Sequence, residues 1–192
     1  MPQFYMMLRT YNALIVHFSG MPRGSGATAY YPNDLEYAVA NTTATRLACS
    51  TVKPYDVFGP SQSSNATGSV GIILAPRTNA SILDVWPTDA GSSRSRIVRY
   101  VTLQECEDTI TQRVGYNEWA VTDYEVLGLF VMDPMQVVGF QKLPDGFGGT
   151  VDMPVPVDVD LTALPPVLSK LPVFTFSAGL IAKAVPHNDL YR

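Results

Sequence analysis

Apolar positions in this chain gather into short runs, broken by polar stretches rich in glycine, serine and proline. The run ALIVHFSG, Ala13 to Gly20, is closed by glycine and predicts a buried strand. A Gly/Ser/Pro-rich loop, MPRGSGATAYYP, follows it. NDLEYAVANTTATRL predicts a helix capped by Asn33 or Asp34, with Leu35, Ala38 and Val39 on one apolar stripe. LACSTV predicts a short strand, and KPYDVFGPSQSSNATGS a long loop of the kind that binds ligands or moves as a lid. SVGIILAP, Ser69 to Pro76, is the clearest buried strand, and SILDVWP is another. In TLQECEDTITQRVG, Thr102 and Glu105 have the spacing of a capping box. Leu103, Cys106 and Ile110 share the inner face of that helix, and Gly115 ends it. EWAVTDYEVLGLFVMDP gives two strand-like runs around a turn at Thr122 and Asp123. The second run is so continuously apolar that a central place in a sheet is expected for it.

After Pro134 the character changes. LPDGFGGTVDMPVPVDVDLTALPPVLSKLP carries proline at high density, and proline donates no ladder hydrogen bond. Residues 143–192 therefore read as an extended arm, packed on a domain of residues 1–142 or on a neighbouring subunit, with homo-oligomers through the arm as a corollary. The last run, VFTFSAGLIAKAVPHNDLYR, fits a strand or a short helix.

Composition narrows the function classes. Hydrophobic residues make up 46% of the chain and charged residues 16%, enough apolar surface for a core. The net charge of −4 and the lack of a dense basic block argue against a strong sequence-independent grip on duplex phosphates. A local basic patch remains at Arg94, Arg96 and Arg99. The two cysteines, Cys49 and Cys106, form no metal or redox motif and read as buried thiols of a reducing compartment. No leader and no membrane span is read, so a cytoplasmic protein is expected, delivered by a separate system if it acts in another cell.

Few residues carry candidate chemistry. Phosphate-loop, dinucleotide-fingerprint, zincin and nucleophile-elbow motifs are missing. His17 sits inside the apolar run LIVHFSG, either as a satisfied core histidine or at the floor of a cleft, donating to a ligand. Ser50 and Thr51, with Lys53 nearby, either make local turn bonds or hold ribose and phosphate oxygens. Tyr30 and Tyr31 are core aromatics or a stacking surface for a flat ring. Glu118 opens a strand between Asn117 and Trp119, and strand alternation puts Tyr116 on its face. It is a solvated strand end or a functional acid partly desolvated by aromatics.

A histidine in a first strand, LIVHFSG, a hydroxyl-bearing strand, LACSTV, and a glutamate opening a late strand after a helix, YNEWAV, resemble the ADP-ribosyltransferase superfamily in its bacterial toxin-like, histidine-type branch. The resemblance covers roughly residues 10–135 and rests on order and spacing. It implies an α+β fold, a split mixed β-sheet cleft with a few helices. It also implies NAD in that cleft, with its nicotinamide end near His17, Ser19 and the Ser50-Thr51 strand, and with Tyr30 and Tyr31 stacked on the nicotinamide. Glu118 would be the catalytic acid, binding a ribose hydroxyl and stabilising positive charge on the sugar as nicotinamide leaves. Arg113, Tyr116 and Asn117 would face a macromolecular acceptor, protein or nucleic acid. Two departures stand out. His17 takes the place of the first-strand arginine of arginine-type members, and Tyr116 stands where those members often carry a second acid or amide. The second departure argues against arginine as acceptor.

A non-catalytic assembly protein, such as a virion component, is the rival reading. Low charge, hydroxyl-rich loops and the proline-rich arm favour it.

Overall fold

The computed structural model describes residues 2–20, 32–53, 67–88, 100–112, 117–132, 138–156, 162, 164–177, 180–181 and 190–191. Among these lie three helices, α1 (Gln3–Thr10), α2 (Pro32–Ala40) and α3 (Leu103–Thr111). The strands are β1 (Leu14–Gly20), β2 (Leu47–Val52), β3 (Thr67–Pro76), β4 (Ile82–Trp86), β5 (Glu118–Val121), β6 (Tyr124–Met132), β7 (Val138–Pro144), β8 (Thr150–Pro156), β9 (Val173–Ser177) and β10 (Leu180–Ile181). Eight strands form one sheet in the order β10-β9-β6-β3-β1-β2-β5-β4. It is mixed, because β6 and β9 run parallel while the other neighbours are antiparallel. The class is α+β.

The sheet is interrupted at its middle. β1 and β2 pair only from Leu14↔Val52 to Val16↔Ser50. Beyond that rung β1 continues on β3 as far as Gly20, and β2 continues on β5 as far as Leu47. A seam therefore opens between β1 and β2. The two halves also fold toward each other, for a reason of chain length. β5 and β6 are joined by Thr122 and Asp123 alone, yet three strands separate them in the sheet order. Three Cα steps reach at most about 11 Å, whereas four strand spacings in a flat sheet would need about 19 Å. Only a strongly curled sheet closes that gap. Asp123, at φ 42, makes the corner, and its carboxylate and carbonyl both take hydrogen bonds from Arg77 at the end of β3.

Helices α1 and α3 pack against each other, and the hydroxyl of Tyr11 donates to the carboxylate of Glu107 between them. In α3 the expected capping box forms, with Thr102 accepting from the Glu105 N–H and the Glu105 carboxylate accepting from the Thr102 N–H. Cys106 and Ile110 are buried as expected, but Leu103 is exposed and Thr109 turns inward instead. Helix α2 starts at Pro32, whose fixed φ suits the first helical position, so the chain enters the helix just ahead of the expected caps. Helix α1 was not foreseen, although Phe4, Tyr5 and Leu8 mark its buried stripe.

Residues 138–156 correct the reading of the proline-rich region as irregular. Here β7 and β8 form a two-stranded hairpin of their own. Asp145 N–H donates to the Gly149 carbonyl at the tip, which makes that rung a hydrogen-bonded one. Counting back two by two, Pro144, Pro154 and Pro156 all fall on rungs where the backbone nitrogen points away from the partner strand. Proline costs the ladder nothing there. The region expected as an arm also reaches into the main sheet: β9 pairs with β6, and Leu168 and Tyr191 are buried in the common core. The Tyr191 hydroxyl accepts from Ile15 N–H at 2.8 Å and donates to the Leu74 carbonyl at 3.1 Å.

Candidate functional site

The seam places β1, β2 and β5 side by side. His17 is the first residue of β1 past the last β1–β2 pair. Its Nδ1 lies 2.8 Å from the carbonyl oxygen of Ala48 on β2, so the ring lies in the gap between the strands. A carbonyl only accepts, so Nδ1 carries the proton and Nε2 of the neutral ring is left as an acceptor. Burial pushes the His17 pKa below its ordinary value, against smaller upward pulls from the Ala48 hydrogen bond and from Asp34. The neutral form is therefore the native one near neutral pH. The ring is half-buried, and Ala48 beside it is exposed.

Glu118 opens β5 opposite Trp86 of β4, and it is 8% exposed. It is not a solvated strand end. β2 and β5 pair from Leu47↔Val121 to Cys49↔Trp119, and one rung further the register brings Ser50 opposite Glu118. Val16, Ser50, Glu118 and Trp86 thus stand at one level across four strands, at the apex of the seam. Two strand spacings, about 10 Å, separate the backbones of β1 and β5 there. The charge of Glu118 is felt by the Cys49 thiol, whose pKa is raised well above the ordinary value by burial first and by Glu118 second. Both cysteines are buried thiols, neither in a disulfide.

Ser50 and Thr51 do not act together. Neighbours on a strand face opposite ways. Ser50 shares the level and face of Glu118, and its Oγ donates to the Asn117 carbonyl at 2.7 Å. Thr51 points toward α3, is 1% exposed, and accepts from the Asn117 amide at 2.6 Å. Its expected contact with NAD is corrected: the side chain belongs to the interior. Asn117 is corrected in the same way. It is 1% exposed, with its amide spent on Thr51 and on the Thr109 carbonyl, so it does not face an acceptor. Lys53 Nζ donates to the Ile110 carbonyl near the C-terminal end of α3, where a cation is favoured by the helix dipole. Ser19 is buried in β1. Tyr30, Tyr31, Arg113 and Tyr116, the arginines from Arg94 to Arg99, and His187 lie outside the described residues.

Two features escape a sequence reading. Trp119 Nε1 donates to Thr109 Oγ1 at 2.8 Å, completing a polar cluster with Asn117 and Thr51 between β5 and α3. The alternation Asn117, Trp119, Val121 hinted at that shared face. Asp84, inside the expected strand SILDVWP, lies in β4 and is 2% exposed, a buried acid that the sequence reading did not single out. Trp86 stands opposite Glu118 and Asp84 opposite Ala120, so simple alternation puts Asp84 on the face of Glu118. A register between two strands leaves no mark in the sequence.

Among the described residues no cluster of three or more metal-ligating side chains occurs, and no helix is long and apolar enough to cross a membrane. Comparison with protein-family models, with curated proteins and with solved structures gave no match.

Proposed function

We propose that the chain is an ADP-ribosyltransferase-like enzyme that uses NAD to modify a macromolecular acceptor, or passes the ADP-ribosyl group to water. The observation that carries this reading is the seam: His17, Ser50 and Glu118 come from distant parts of the chain, yet they stand on three adjacent strands, Ser50 level with Glu118 and on its face, His17 one rung away on the alternate face with its ring in the gap. The residues suit such a substrate. A neutral imidazole with Nε2 as acceptor takes a hydrogen bond from a ribose hydroxyl. A carboxylate held in a largely dry site interacts strongly with positive charge on the sugar. In the reaction, the bond from ribose C1′ to the nicotinamide nitrogen breaks and its electron pair leaves with nicotinamide. A lone pair of the acceptor forms the new bond to C1′, and the acceptor's proton passes to solvent. The acceptor is a protein side chain, a nucleic-acid base or water.

The test is release of labelled nicotinamide from NAD by the purified chain. Glu118→Gln keeps the shape and removes the charge, and is expected to slow release by about a hundredfold or more. Turnover that survives this substitution in a folded protein would remove Glu118 from the mechanism. The assembly-protein reading draws on the hairpin β7–β8, which carries Phe147 at its tip with 97% of its surface exposed. Two bonds to Asp145 Oδ1, from Phe147 N–H and Gly149 N–H, hold that tip in shape. Absence of nicotinamide release, together with concentration-dependent association abolished by Phe147→Ser, would favour that reading over the enzyme.

A further inference from the structure

We propose that Asn117 is the positioning residue for Glu118: at the start of β5 it takes the place of the main-chain ladder on the β2 side and fixes the direction in which the acid leaves the strand. The catalytic part of this inference rests on the enzyme reading above; the positioning part does not.

The argument begins where ordinary pairing stops. Main-chain partners between β2 and β5 run only to Cys49↔Trp119. At the next rungs, side chains take over the hydrogen bonds. Thr51 N–H donates to Asn117 Oδ1 at 2.8 Å, where a strand would offer a main-chain carbonyl. Ser50 Oγ donates to the Asn117 carbonyl at 2.7 Å, so a hydroxyl holds the peptide that leads into Glu118. The Nδ2 group uses both of its hydrogens, toward Thr51 Oγ1 at 2.6 Å and the Thr109 carbonyl at 2.9 Å. One amide thus ties β2, β5 and α3 together.

On the other side of the acid, Trp119 is fixed to the same helix through Thr109 Oγ1. Glu118 is bracketed by two anchored neighbours that both point toward α3, and alternation sends its own side chain the opposite way. The device matters because β5 has only four residues and Glu118 is its first. Strand and helix ends open most readily. Loosening the β2 side of that end lets the backbone of the acid shift, and a misplacement of about 1 Å in a catalytic group costs on the order of a hundredfold in rate.

The experiment compares wild type with Asn117→Ala, Thr51→Val and Thr51→Ser in two measurements. One is the kcat and KM for nicotinamide release. The other is the carbon-13 carboxyl resonance of Glu118, assigned by its loss in Glu118→Gln. Asn117→Ala is expected to lower kcat by about a hundredfold with little change in KM, and to shift or broaden the resonance. Thr51→Val removes one hydroxyl and follows the same direction more weakly, which covers the case in which Asn117→Ala fails to fold. Thr51→Ser keeps the hydroxyl and behaves as wild type. A purely structural Asn117 would lower the melting temperature and leave both measurements unchanged at temperatures where the variants are folded; that result overturns the proposal. Should wild type release no nicotinamide, the enzyme reading falls. The resonance then decides positioning alone: altered in the variants, it stands; unaltered, it is wrong.

Discussion

His17 has a consequence for stability that follows from its surroundings alone. Burial lowers its pKa in the native state, while the unfolded chain titrates near the ordinary value of about 6.5. Above that pH both states hold a neutral ring and nothing is lost. As pH falls below it, the unfolded state binds a proton that the native state resists, so stability drops until the native ring also protonates. The melting temperature should therefore fall between about pH 7 and pH 5. His17→Gln should flatten the part of that slope due to the ring; an unchanged slope would assign it to other groups. The sequence announced a histidine within an apolar strand. It could not announce the tautomer, which depends on a carbonyl 31 positions away, brought within reach by the seam. Tyr124 shows the opposite shift: burial foremost pushes its pKa up to about 12, and its hydroxyl donates to the Ala38 carbonyl.

Among the elements, β1 lies close against β3 where Gly71 stands opposite Phe18. A Cβ at Gly71 would lie 2.6 Å from the His17 carbonyl oxygen and 2.7 Å from Val16 Cγ1. The first of these is backbone and cannot step aside without moving β1. Gly71→Ala is expected to cost about 1–3 kcal/mol, seen in denaturant unfolding, and to disturb the strand that carries His17. Retention of full stability would mean that the strands have slack at this point. The elements were also the most legible level of the chain. Long apolar runs such as Ser69–Pro76 and the box at Thr102 and Glu105 carry their structural preference locally. The hairpin β7–β8 escaped because proline content argues against a strand unless the register is known, and the register is set by the partner strand.

For the whole molecule, the decisive contacts join the two ends of the chain. Tyr191 caps the β1–β3 rung with its hydroxyl and packs its ring on Tyr5 of α1, with centroids 5.2 Å apart. β9 extends the main sheet along β6, and Phe174 is buried there. A chain ending after Leu171 loses this strand, Phe174 and Tyr191, and is expected to lose its cooperative thermal transition in circular dichroism. Replacing the separate hairpin, residues 138–156, by a short flexible link should preserve that transition. If the shortened chain melts as sharply as the full one, residues 173–191 are not part of the folding unit.

By itself the sequence determined the strands β1 to β6 and the helices α2 and α3, where α3 is capped, and that His17 and Glu118 are unusual. These depend on neighbours within a few residues, through periodicity, capping and the geometry of proline and glycine. Only the tertiary structure decided that β1, β2 and β5 lie together at a seam, that Ser50 and Thr51 serve opposite faces, and that Asn117 points inward. Such facts depend on strand order, register and bulges, which arise from contacts between residues tens of positions apart and have no local signature.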